Sequence, residues 1–528
     1  MTNTIGDIET ADVILVTGSN TTENHPVLSS YIKRAVTFKG AKLIVVDPRF
    51  IRIAQFAHYW MRQKLGTDVA WINGMMNVII NEALYDRDFV ETRTEGFEAL
   101  RKTVAAYTPD YVAEITGIPP SQLKEAARIY AQANAASICY CMGITQHTSG
   151  TDNVKSLANL AMLCGHMGME GGGVNPLRGQ NNVQGACDMG GLPNVYSGYQ
   201  PVTDLSIAKK MEDAWGVSEI PTQPGLTVTK MIPKAHEGEL KGLYIIGENP
   251  LVSDPDLNHA EKCLSNLDFL VVQDIFMTDT AQLADVVLPS KCFAEKDGTF
   301  TNSERRVQRV RKAVEPPGQA RDDWWITSEI ASRMGLSMSY GASQEIMEEL
   351  ASVTPSYAGI DYDRIEHVGI HWPCPSKEHP GTPILHKEQF TRGKGLFHAI
   401  DYQAPAENVD ATYPMFLTTG RVLYHYHTGT MTMKSAGLNE RAPACFVEIS
   451  AEDARSYDLE DGAVVKVESR RGNIQAAIKI SEKAVSGTVF IPFHFAQAAA
   501  NKLTLAALDP VSGIPEFKVC AVRISKAA

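Results

Sequence analysis

The sequence lacks a clustered cysteine motif. Its nine cysteines are scattered, and none has the CxxC…CxxxC spacing of an iron–sulfur or zinc site. Cys139 and Cys141 flank one residue of a predicted strand and therefore point to the same face, where an extended chain gives a pair poor disulfide geometry. We expect nine reduced structural thiols, so metal chemistry would need ligands other than the protein sulfur of this chain.

The sequence also lacks a basic excess and a long apolar run. Its formal net charge of -12 argues against a general nucleic-acid binder, although the local cluster Arg305, Arg306, Arg309 and Arg311 could meet a buried anion. Apolar runs such as LIVV are too short to span a membrane, and the first twenty residues show no targeting pattern. We expect a soluble, cytoplasmic protein with no transmembrane segment.

The length of 528 residues predicts two to four domains, because a single hydrophobic core does not grow to this size. Hydrophobic residues make up 44% and charged residues 21%, as in an ordinary globular protein.

The first segment predicts a nucleotide-binding βαβ unit. An apolar run at Val13–Val16 ends at the turn Gly18-Ser19-Asn20, a helix follows from about His25 to Lys39, and a second run at Lys42–Val46 ends at Asp47. An acid at that position can accept hydrogen bonds from ribose hydroxyls. The pattern is weak by itself, because no GxGxxG follows the first strand.

The same order returns later in the chain. Leu243–Ile246 runs into Gly247, and Phe269–Val272 ends at Gln273-Asp274; from glycine to acid is 29 residues in the first unit and 27 in the second. The repeat is either a duplicated structural layer with no ligand or two related sites for two nucleotide ends.

A glycine- and amide-rich segment lies between the two units. Residues 171–191, GGGVNPLRGQNNVQGACDMGG, hold seven glycines, three asparagines, two glutamines and a single arginine. We expect neither a regular helix nor a strand here, because glycine and amide side chains disfavour both. A loop whose backbone approaches a ligand closely fits this composition better than a surface linker.

The last part predicts a small β-barrel. A polar, proline-containing stretch at about 355–405 separates the α/β part from short alternating runs, which are CFVEIS, AVVKVES, GNIQAAIKI and GTVFIPF. The turn residues Asp461-Gly462 and Arg471-Gly472 separate some of these runs.

From Met1 to about Ile524 the chain resembles the dimethyl-sulfoxide-reductase family of molybdopterin oxidoreductases, and within it the formate dehydrogenases. The most specific stretch is Arg178–Gly190, RGQNNVQGACDMG, across which the related nitrate reductases diverge. Other stretches agree in order and spacing, namely GSNTTENHP, VVDPR, MGITQH, GENP, VVQDIFMT, ADVVLP, TTGRVLYHYHTGTM and FKVCAV.

The resemblance implies two Rossmann-like α/β domains of related topology and a C-terminal six-stranded barrel of the double-psi type, with boundaries at 1–181, 182–405 and 406–528. It also implies a bis-molybdopterin guanine dinucleotide cofactor with molybdenum or tungsten, and iron–sulfur electron-transfer subunits as partners. The residues it assigns to one dinucleotide are Gly18, Ser19, Asn20 and Glu23 in the turn Thr17–Asn24, with Asp47, Arg49, Gly66, Thr67 and Asp68. Those it assigns to the other are Asn249, Ser253, Gln273, Asp274, Lys296 and Asp323.

The remaining implied cofactor contacts come from the centre and the tail of the chain. Near the pterins the resemblance places Met142, Gln146, Gly179 and Gln180. From the barrel it adds Thr419, Gly420, Arg421, His425, His427, Thr428, Phe493, Asn501 and Lys518. Carboxylates suit guanine N–H edges and ribose hydroxyls, while cations and backbone N–H groups suit pyrophosphate.

The catalytic residue implied by the resemblance is Arg178. A planar guanidinium can bind both oxygens of formate while the metal centre accepts its hydrogen and two electrons. The alternative is a phosphate-binding or purely structural arginine.

The resemblance further implies that an N-terminal part is missing, namely a domain with a 4Fe-4S cluster and the Cys or Sec that ligates the metal. We expect either an open reading frame started too late at a selenocysteine codon or a naturally split subunit. Two rival functions stay open: another molybdopterin oxidoreductase such as an assimilatory nitrate reductase, and a non-catalytic pterin-binding scaffold.

Overall fold

The structure of the protein is a computed structural model that describes residues 1–527. Two compact units are distinguished: unit 1 comprises Met1–Gly179, Val252–Asn258 and the chain from Ile384 onward, and unit 2 comprises Gln180–Leu251 and His259–Pro383. In the described chain no helix is both long and apolar enough to cross a membrane.

Unit 1 begins with a parallel sheet. Its N-terminal strands are β1 (Val13–Thr17), β2 (Lys42–Val46), β3 (Tyr59–Met61), β4 (Thr94–Glu95), β5 (Ala136–Tyr140) and β6 (Val174–Pro176). Five of them form one sheet in the order β3-β2-β1-β5-β6, with Val13 opposite both Lys42 and Ala136. The predicted strands at 13–16 and 42–46 are confirmed.

Helices cover both faces of this sheet. They are α1 (Thr21–Asn24), α2 (Pro26–Lys39), α3 (Asp68–Asn81), α4 (Arg87–Arg93), α5 (Phe97–Val104), α6 (Pro109–Thr116), α7 (Pro120–Ala131), α8 (Met142–Thr145) and α9 (Gly150–Leu163). One buried cluster includes Leu15, Ile44 and Trp71, and a second includes Ile14, Leu43 and Ile32. Parallel strands are apolar on both faces because helices bury both of them.

The middle of the chain repeats the strand–helix–strand order on a smaller scale. Its helices are α10 (Val183–Asp188), α11 (Leu205–Trp215), α12 (Val228–His236), α13 (Pro250–Ser253), α14 (Leu257–Ser265), α15 (Asp279–Gln282), α16 (Asp323–Arg333) and α17 (Ser343–Val353). Its strands are β7 (Val195–Tyr196), β8 (Gln200–Pro201), β9 (Gly242–Ile246), β10 (Phe269–Asp274), β11 (Val286–Pro289), β12 (Gly298–Thr301), β13 (Arg306–Val310) and β14 (Ile370–His371). A parallel sheet has the order β11-β10-β9, and an antiparallel one has the order β12-β13-β14.

The predicted repeat is confirmed. Gly18 follows β1 and Gly247 follows β9, both in the left-handed region with φ of 55° and 64°, and Asp47 and Asp274 stand at the ends of the second strands. A glycine is suited to such a turn because it has no Cβ to clash.

The tail forms the predicted closed barrel. After β15 (Gly395–Leu396), which pairs with β4, the strands are β16 (Met415–Gly420), β17 (Phe446–Ile449), β18 (Val464–Glu468), β19 (Asn473–Ile480), β20 (Thr488–Pro492) and β21 (Cys520–Lys526). They close in the order β16-β20-β17-β19-β18-β21 around residues such as Leu417, Val447 and Val465, with α18 (Ala436–Arg441) and α19 (Ala451–Ser456) beside them.

Two expectations about local structure were wrong. Residues 171–191 contain β6 and α10, because Val174 pairs with Ile138 of β5 and the Asp188 carboxylate is anchored by Tyr357 at 2.6 Å and by Tyr199 at 2.9 Å. The stretch 355–405 is no simple separator, since its part within unit 2 packs a core that includes Tyr357 and Ile370. Tertiary contacts override local propensity at both places.

All nine cysteines are free thiols, as expected. Cys139 and Cys141 contact the same apolar cluster, which confirms that they point to one face.

Candidate functional site

A cavity lies at the carboxyl ends of the parallel strands of unit 1. Its walls come from the segments after β1, β2, β5 and β6, from the start of α3 and from the barrel, and they enclose about 890 Å³ that is partly open to solvent. Ligands of open parallel sheets bind at this edge. The predicted site residues that line this first cavity are Gly18, Ser19, Asn20, Asp47, Arg49, Gly66, Asp68, Met142, Gly179, Thr419, Gly420, Arg421, Phe493 and Lys518.

A second, smaller cavity of about 400 Å³ shares Met142, Thr419, Arg421 and Phe493 with the first. It adds four more predicted residues, which are Gln146, Ser253, His427 and Asn501. The Asn501 amide donates to the backbone carbonyls of Val252 at 3.1 Å and Ser253 at 3.0 Å, which holds this wall together.

The backbone is closely packed where the β1 turn meets α8. The Gly143 N–H donates to the Gly18 carbonyl at 2.9 Å, and a Cβ on Gly18 would lie 2.6 Å from the nitrogen of Ile144. Only glycine fits on both sides of this contact, so the backbone itself forms part of the cavity wall.

Charged side chains of both signs face the first cavity. Burial raises the pKa of Asp47 to about 6. The backbone N–H of Arg49 donates to Asp47 Oδ1 at 2.9 Å, and this hydrogen bond acts in the opposite direction by lowering the pKa. Burial lowers the pKa of Lys518 to about 8 and also lowers that of Arg421. A bound anion would relieve the cost of burying these two cations.

The Arg49 side chain is held away from solvent by the barrel. Its guanidinium pairs with Glu448 of β17 at 2.6 Å and stacks 3.5 Å from the centre of the Phe490 ring. A paired and stacked guanidinium keeps a fixed orientation.

Many buried polar atoms around the cavities have no hydrogen-bond partner among residues 1–527. They are Ser19 Oγ, Asn20 Oδ1, Asn24 Oδ1, His25 Nδ1, Gln63 Oε1, His147 Nδ1, Asn501 Oδ1 and Arg178 Nε. Since buried polar groups in native proteins nearly always find partners, their concentration here indicates a polar ligand.

Arg178 follows β6, and its neighbour Gly179 lines the first cavity. The Arg178 carbonyl accepts a hydrogen bond from His25 Nε2 at 2.9 Å. A Cβ on Gly179 would lie 2.6 Å from the Arg421 guanidinium, so this glycine allows the 178–179 backbone to approach Arg421.

Five predicted residues of unit 1 lie outside both cavity walls. One is Arg178, whose neighbour Gly179 lines the first cavity. The other four bond elsewhere in unit 1. Glu23 pairs with Lys483 at 3.2 Å, and Thr67 Oγ1 donates to the Lys64 carbonyl at 2.7 Å. The other two bond within the barrel loop, His425 to the Ala442 carbonyl at 2.7 Å and Thr428 to Thr430 at 2.9 Å.

Unit 2 holds the remaining predicted residues, which are Gln180, Asn249, Gln273, Asp274, Lys296 and Asp323. The Gln273 amide donates to Asp323 Oδ1 at 2.8 Å, and Lys296 bonds to the other oxygen of that carboxylate. Burial opposes ionisation, yet the Lys296 hydrogen bond and charge hold the pKa of Asp323 below its ordinary value.

The other members of this set stabilise the local backbone. Asn249 Oδ1 accepts from Thr280 Oγ1 at 2.7 Å, and Asp274 Oδ1 accepts from the N–H of Ile275 at 2.6 Å. Burial raises the pKa of Asp274. Gln180 is the first residue of unit 2 and is partly buried.

The cavity residues that the sequence analysis missed include His25, Gln63 and His147. Gln63 comes two residues after β3, so the strand-end rule used for Asp47 would have found it. His147 directly follows the predicted Gln146.

Comparison with family models decides the identity of this arrangement. A model described as molybdopterin oxidoreductase matches residues 1–333, and one described as Molydopterin dinucleotide binding domain matches residues 415–521. The chain belongs to the molybdopterin oxidoreductase family. It is therefore an oxidoreductase with a molybdopterin cofactor, and its cavity fits that group, since close-packed glycine backbone, unpartnered polar atoms and buried cations suit a pterin with phosphates.

Relatives in this family match the whole chain. It is 52% identical over 530 residues to the F420-dependent formate dehydrogenase subunit alpha of Methanocaldococcus jannaschii, covering 100% of this chain and 78% of the relative. It is 42% identical over 534 residues to formate dehydrogenase H of Escherichia coli, covering 100% of this chain and 74% of that relative. It is 38% identical over 539 residues to the assimilatory nitrate reductase catalytic subunit of Bacillus subtilis, covering 99% of this chain and 76% of that relative.

The fold is shared with a solved structure. Acetylene hydratase from Pelobacter acetylenicus superposes with a TM-score of 0.81 at 22% identity, covering 99% of this chain and 79% of that chain. Together with the closed six-stranded barrel, this confirms the predicted α/β-plus-barrel fold class.

Proposed function

We propose that this chain forms the catalytic subunit of a formate dehydrogenase, which oxidises formate to carbon dioxide or runs the reverse reaction. The observation that carries the proposal is the 52% identity, over all of this chain, to a formate dehydrogenase alpha subunit. The nitrate reductase relative stands at 38%, which favours formate over nitrate as substrate.

Arg178 is the residue proposed to bind formate. Its guanidinium Nε is buried and has no partner within residues 1–527, while its backbone is fixed by His25. A guanidinium fork can hold both oxygens of a one-carbon acid and leave the C–H bond pointing away.

The dinucleotide contacts are proposed to divide between the two units. In unit 1, the turn after β1, the acid Asp47 and the cations Arg421 and Lys518 would hold one dinucleotide. In unit 2, the hydrogen-bonded group Gln273, Lys296 and Asp323 would hold the other. The proposed cofactor is the bis-molybdopterin guanine dinucleotide form with molybdenum or tungsten.

The bound cofactor supplies the two-electron acceptor beside the C–H bond of formate. The protein binds and orients formate through Arg178, and it limits water by walling the first cavity with Phe490 and Phe493. Buried cations also strengthen anion binding, because fixed charges act more strongly away from water.

Electrons are proposed to leave through iron–sulfur clusters outside these 528 residues. Within the described chain no group of three or more His, Cys, Asp or Glu side chains is placed to hold a metal ion. We propose a 4Fe-4S cluster and the metal-ligating Cys or Sec in a further part of the catalytic subunit, and iron–sulfur partner subunits beyond it. Nine free thiols are consistent with a cytoplasmic, reducing location.

Assays of the anaerobically purified native complex test this proposal. We expect formate-dependent reduction of a viologen dye, no comparable nitrate reduction, and molybdenum or tungsten with guanine nucleotide in the same preparation. Nitrate reduction in place of formate oxidation would move the enzyme to the nitrate reductases. Cofactor without either activity would indicate a pterin-binding scaffold.

A further inference from the structure

Three buried ionisable side chains form a row beside the first cavity. His147 Nε2 lies 3.9 Å from Asp68 Oδ2, and His147 Nδ1 lies 3.7 Å from Glu516 Oε1. Asp68 is the first residue of α3, His147 follows α8, and Glu516 precedes β21. Asp68 and His147 line the cavity, so the row runs from the cavity wall into the protein.

Both ring nitrogens of His147 face acceptor oxygens. Nε2 lies 2.9 Å from the Gly143 carbonyl oxygen, and a ring nitrogen that bonds to a carbonyl must carry a hydrogen. Nδ1 faces the Glu516 carboxylate and has no hydrogen-bond partner in residues 1–527. A lone pair at Nδ1 would face a negative oxygen, whereas a proton there is attracted by it.

Both carboxylates are otherwise fixed. Glu516 Oε1 accepts from the Thr148 N–H at 3.3 Å, and its Oε2 accepts from the Ala406 N–H at 3.1 Å. Asp68 Oδ1 accepts from Trp71 Nε1 at 3.2 Å and from Gln63 Nε2 at 3.5 Å. The other oxygen of this carboxylate, Asp68 Oδ2, lies near His147 at the cavity wall.

The charge on Asp68 depends on His147. Burial raises the pKa of Asp68, and the charge of His147 is the largest influence that lowers it. The other ionisable groups that interact with Asp68 are Asp47 and Tyr402, and Lys518 acts on Asp47 from the barrel side. Without the charge of His147, the Asp68 carboxyl would be protonated more readily, and its protonated oxygen would donate a hydrogen bond where the carboxylate oxygen accepts one.

We propose that His147 is a positioning residue whose imidazolium, held between Asp68 and Glu516, keeps Asp68 ionised and oriented to accept a hydrogen bond from the nucleotide part of the cofactor. The donor is a base N–H or a ribose hydroxyl. This inference goes beyond the proposed function, because it requires the molybdopterin dinucleotide and not formate oxidation.

The test measures cofactor retention and not activity. Native holoenzyme and the variants His147→Phe, Asp68→Asn and the double variant are held between about pH 8 and about pH 6, desalted, and analysed for metal and guanine nucleotide. Asp68 must be ionised to accept, so in His147→Phe we expect cofactor loss to speed up as the pH falls, by up to about tenfold per pH unit. Asp47, whose pKa burial raises to about 6, lines the same cavity in all four proteins and gives each of them a common pH dependence. The proposal therefore predicts a steeper pH dependence in His147→Phe than in wild type and in the double variant.

A purely structural role for His147 predicts otherwise. A pH dependence of cofactor loss in His147→Phe that is no steeper than in wild type, or one that is equally steep in the double variant, would overturn the proposal. If His147→Phe does not fold, His147→Gln keeps a donor for the Gly143 carbonyl without the charge and should show the same pH dependence. His166→Phe, at another buried histidine that bonds to the Tyr130 carbonyl, is the matched control and should retain cofactor like wild type.

The same samples identify the donor. Appearance of a second nucleotide beside the guanine nucleotide in the His147 or Asp68 variants would assign the contact to the base, in support of the proposal. Unchanged nucleotide identity together with the pH dependence would assign it to the ribose hydroxyl, again in support.

Discussion

The imidazole Nε2 of His25 donates a hydrogen bond of 2.9 Å to the backbone carbonyl of Arg178. His25 precedes α2 and Arg178 follows β6, so the bond joins two loops at the same edge of the parallel sheet. Burial lowers the pKa of His25, which leaves it neutral at physiological pH with its hydrogen on Nε2. The bond fixes the backbone from which the Arg178 guanidinium extends.

Replacing His25 should therefore impair formate turnover through Arg178. We expect kcat/KM for formate to fall about fivefold in His25→Ala, since a single hydrogen bond contributes about 1 kcal/mol. His25→Gln keeps an N–H donor and should recover part of the loss. Steady-state dye reduction, with metal content measured on each sample, checks this; equal kcat/KM in all three proteins would refute a role for the bond.

The glycine contact between Gly18 and Gly143 should not tolerate a methyl group. A Cβ on Gly143 would lie 2.5 Å from Gly18 Cα, backbone against backbone, so Gly143→Ala should cost about 1–3 kcal/mol and reduce cofactor content. Gly437→Ala in α18 is the control, because nothing lies within 4 Å of the position that a Cβ would take there. Urea unfolding and metal analysis measure both effects, and an equal response of the two variants would contradict the account.

Lys518 should lower the stability of cofactor-free protein. Because burial depresses its pKa to about 8, the unfolded chain binds more protons above that pH, and stability should rise as the pH increases from about 8 towards the ordinary lysine pKa. At neutral pH Lys518→Met should stabilise the cofactor-free protein by up to about 3 kcal/mol and remove this pH dependence.

The same substitution should weaken cofactor binding, because it removes a cation from the cavity wall. Denaturation curves at several pH values and metal content after purification test the two effects. A Lys518→Met protein that is less stable at neutral pH, or that holds its cofactor as tightly as wild type, would show that Lys518 is an ordinary structural lysine.

Much of the fold could be predicted because its signals are local. The apolar run at 42–46 is β2 to the residue, and the alternating runs after about Tyr413 are barrel strands. The short β6 and α10 could not be predicted, since Val174 is a strand residue only by pairing with Ile138, and α10 depends on bonds from distant tyrosines to Asp188.

The site could be predicted in part for a related reason. Asp47 directly follows β2 and Ser19 comes two residues after β1, and strand ends of one parallel sheet meet at one edge. The role proposed for His147 depends on its contacts with Asp68 and Glu516, which are distant from it in sequence. No local sequence pattern could therefore identify it. The cofactor roles of the predicted residues in both units remain predictions.

The most direct test of the central claim is the comparison of Arg178→Lys with wild type in the native complex. Lysine keeps the charge but loses the two-pronged hydrogen bonding, so we predict that kcat/KM for formate falls about 100-fold while metal and guanine nucleotide stay at wild-type levels. Arg392→Lys, at an exposed arginine paired with Glu95, should leave both unchanged. Undiminished formate turnover in Arg178→Lys would remove Arg178 from the mechanism and contradict the account.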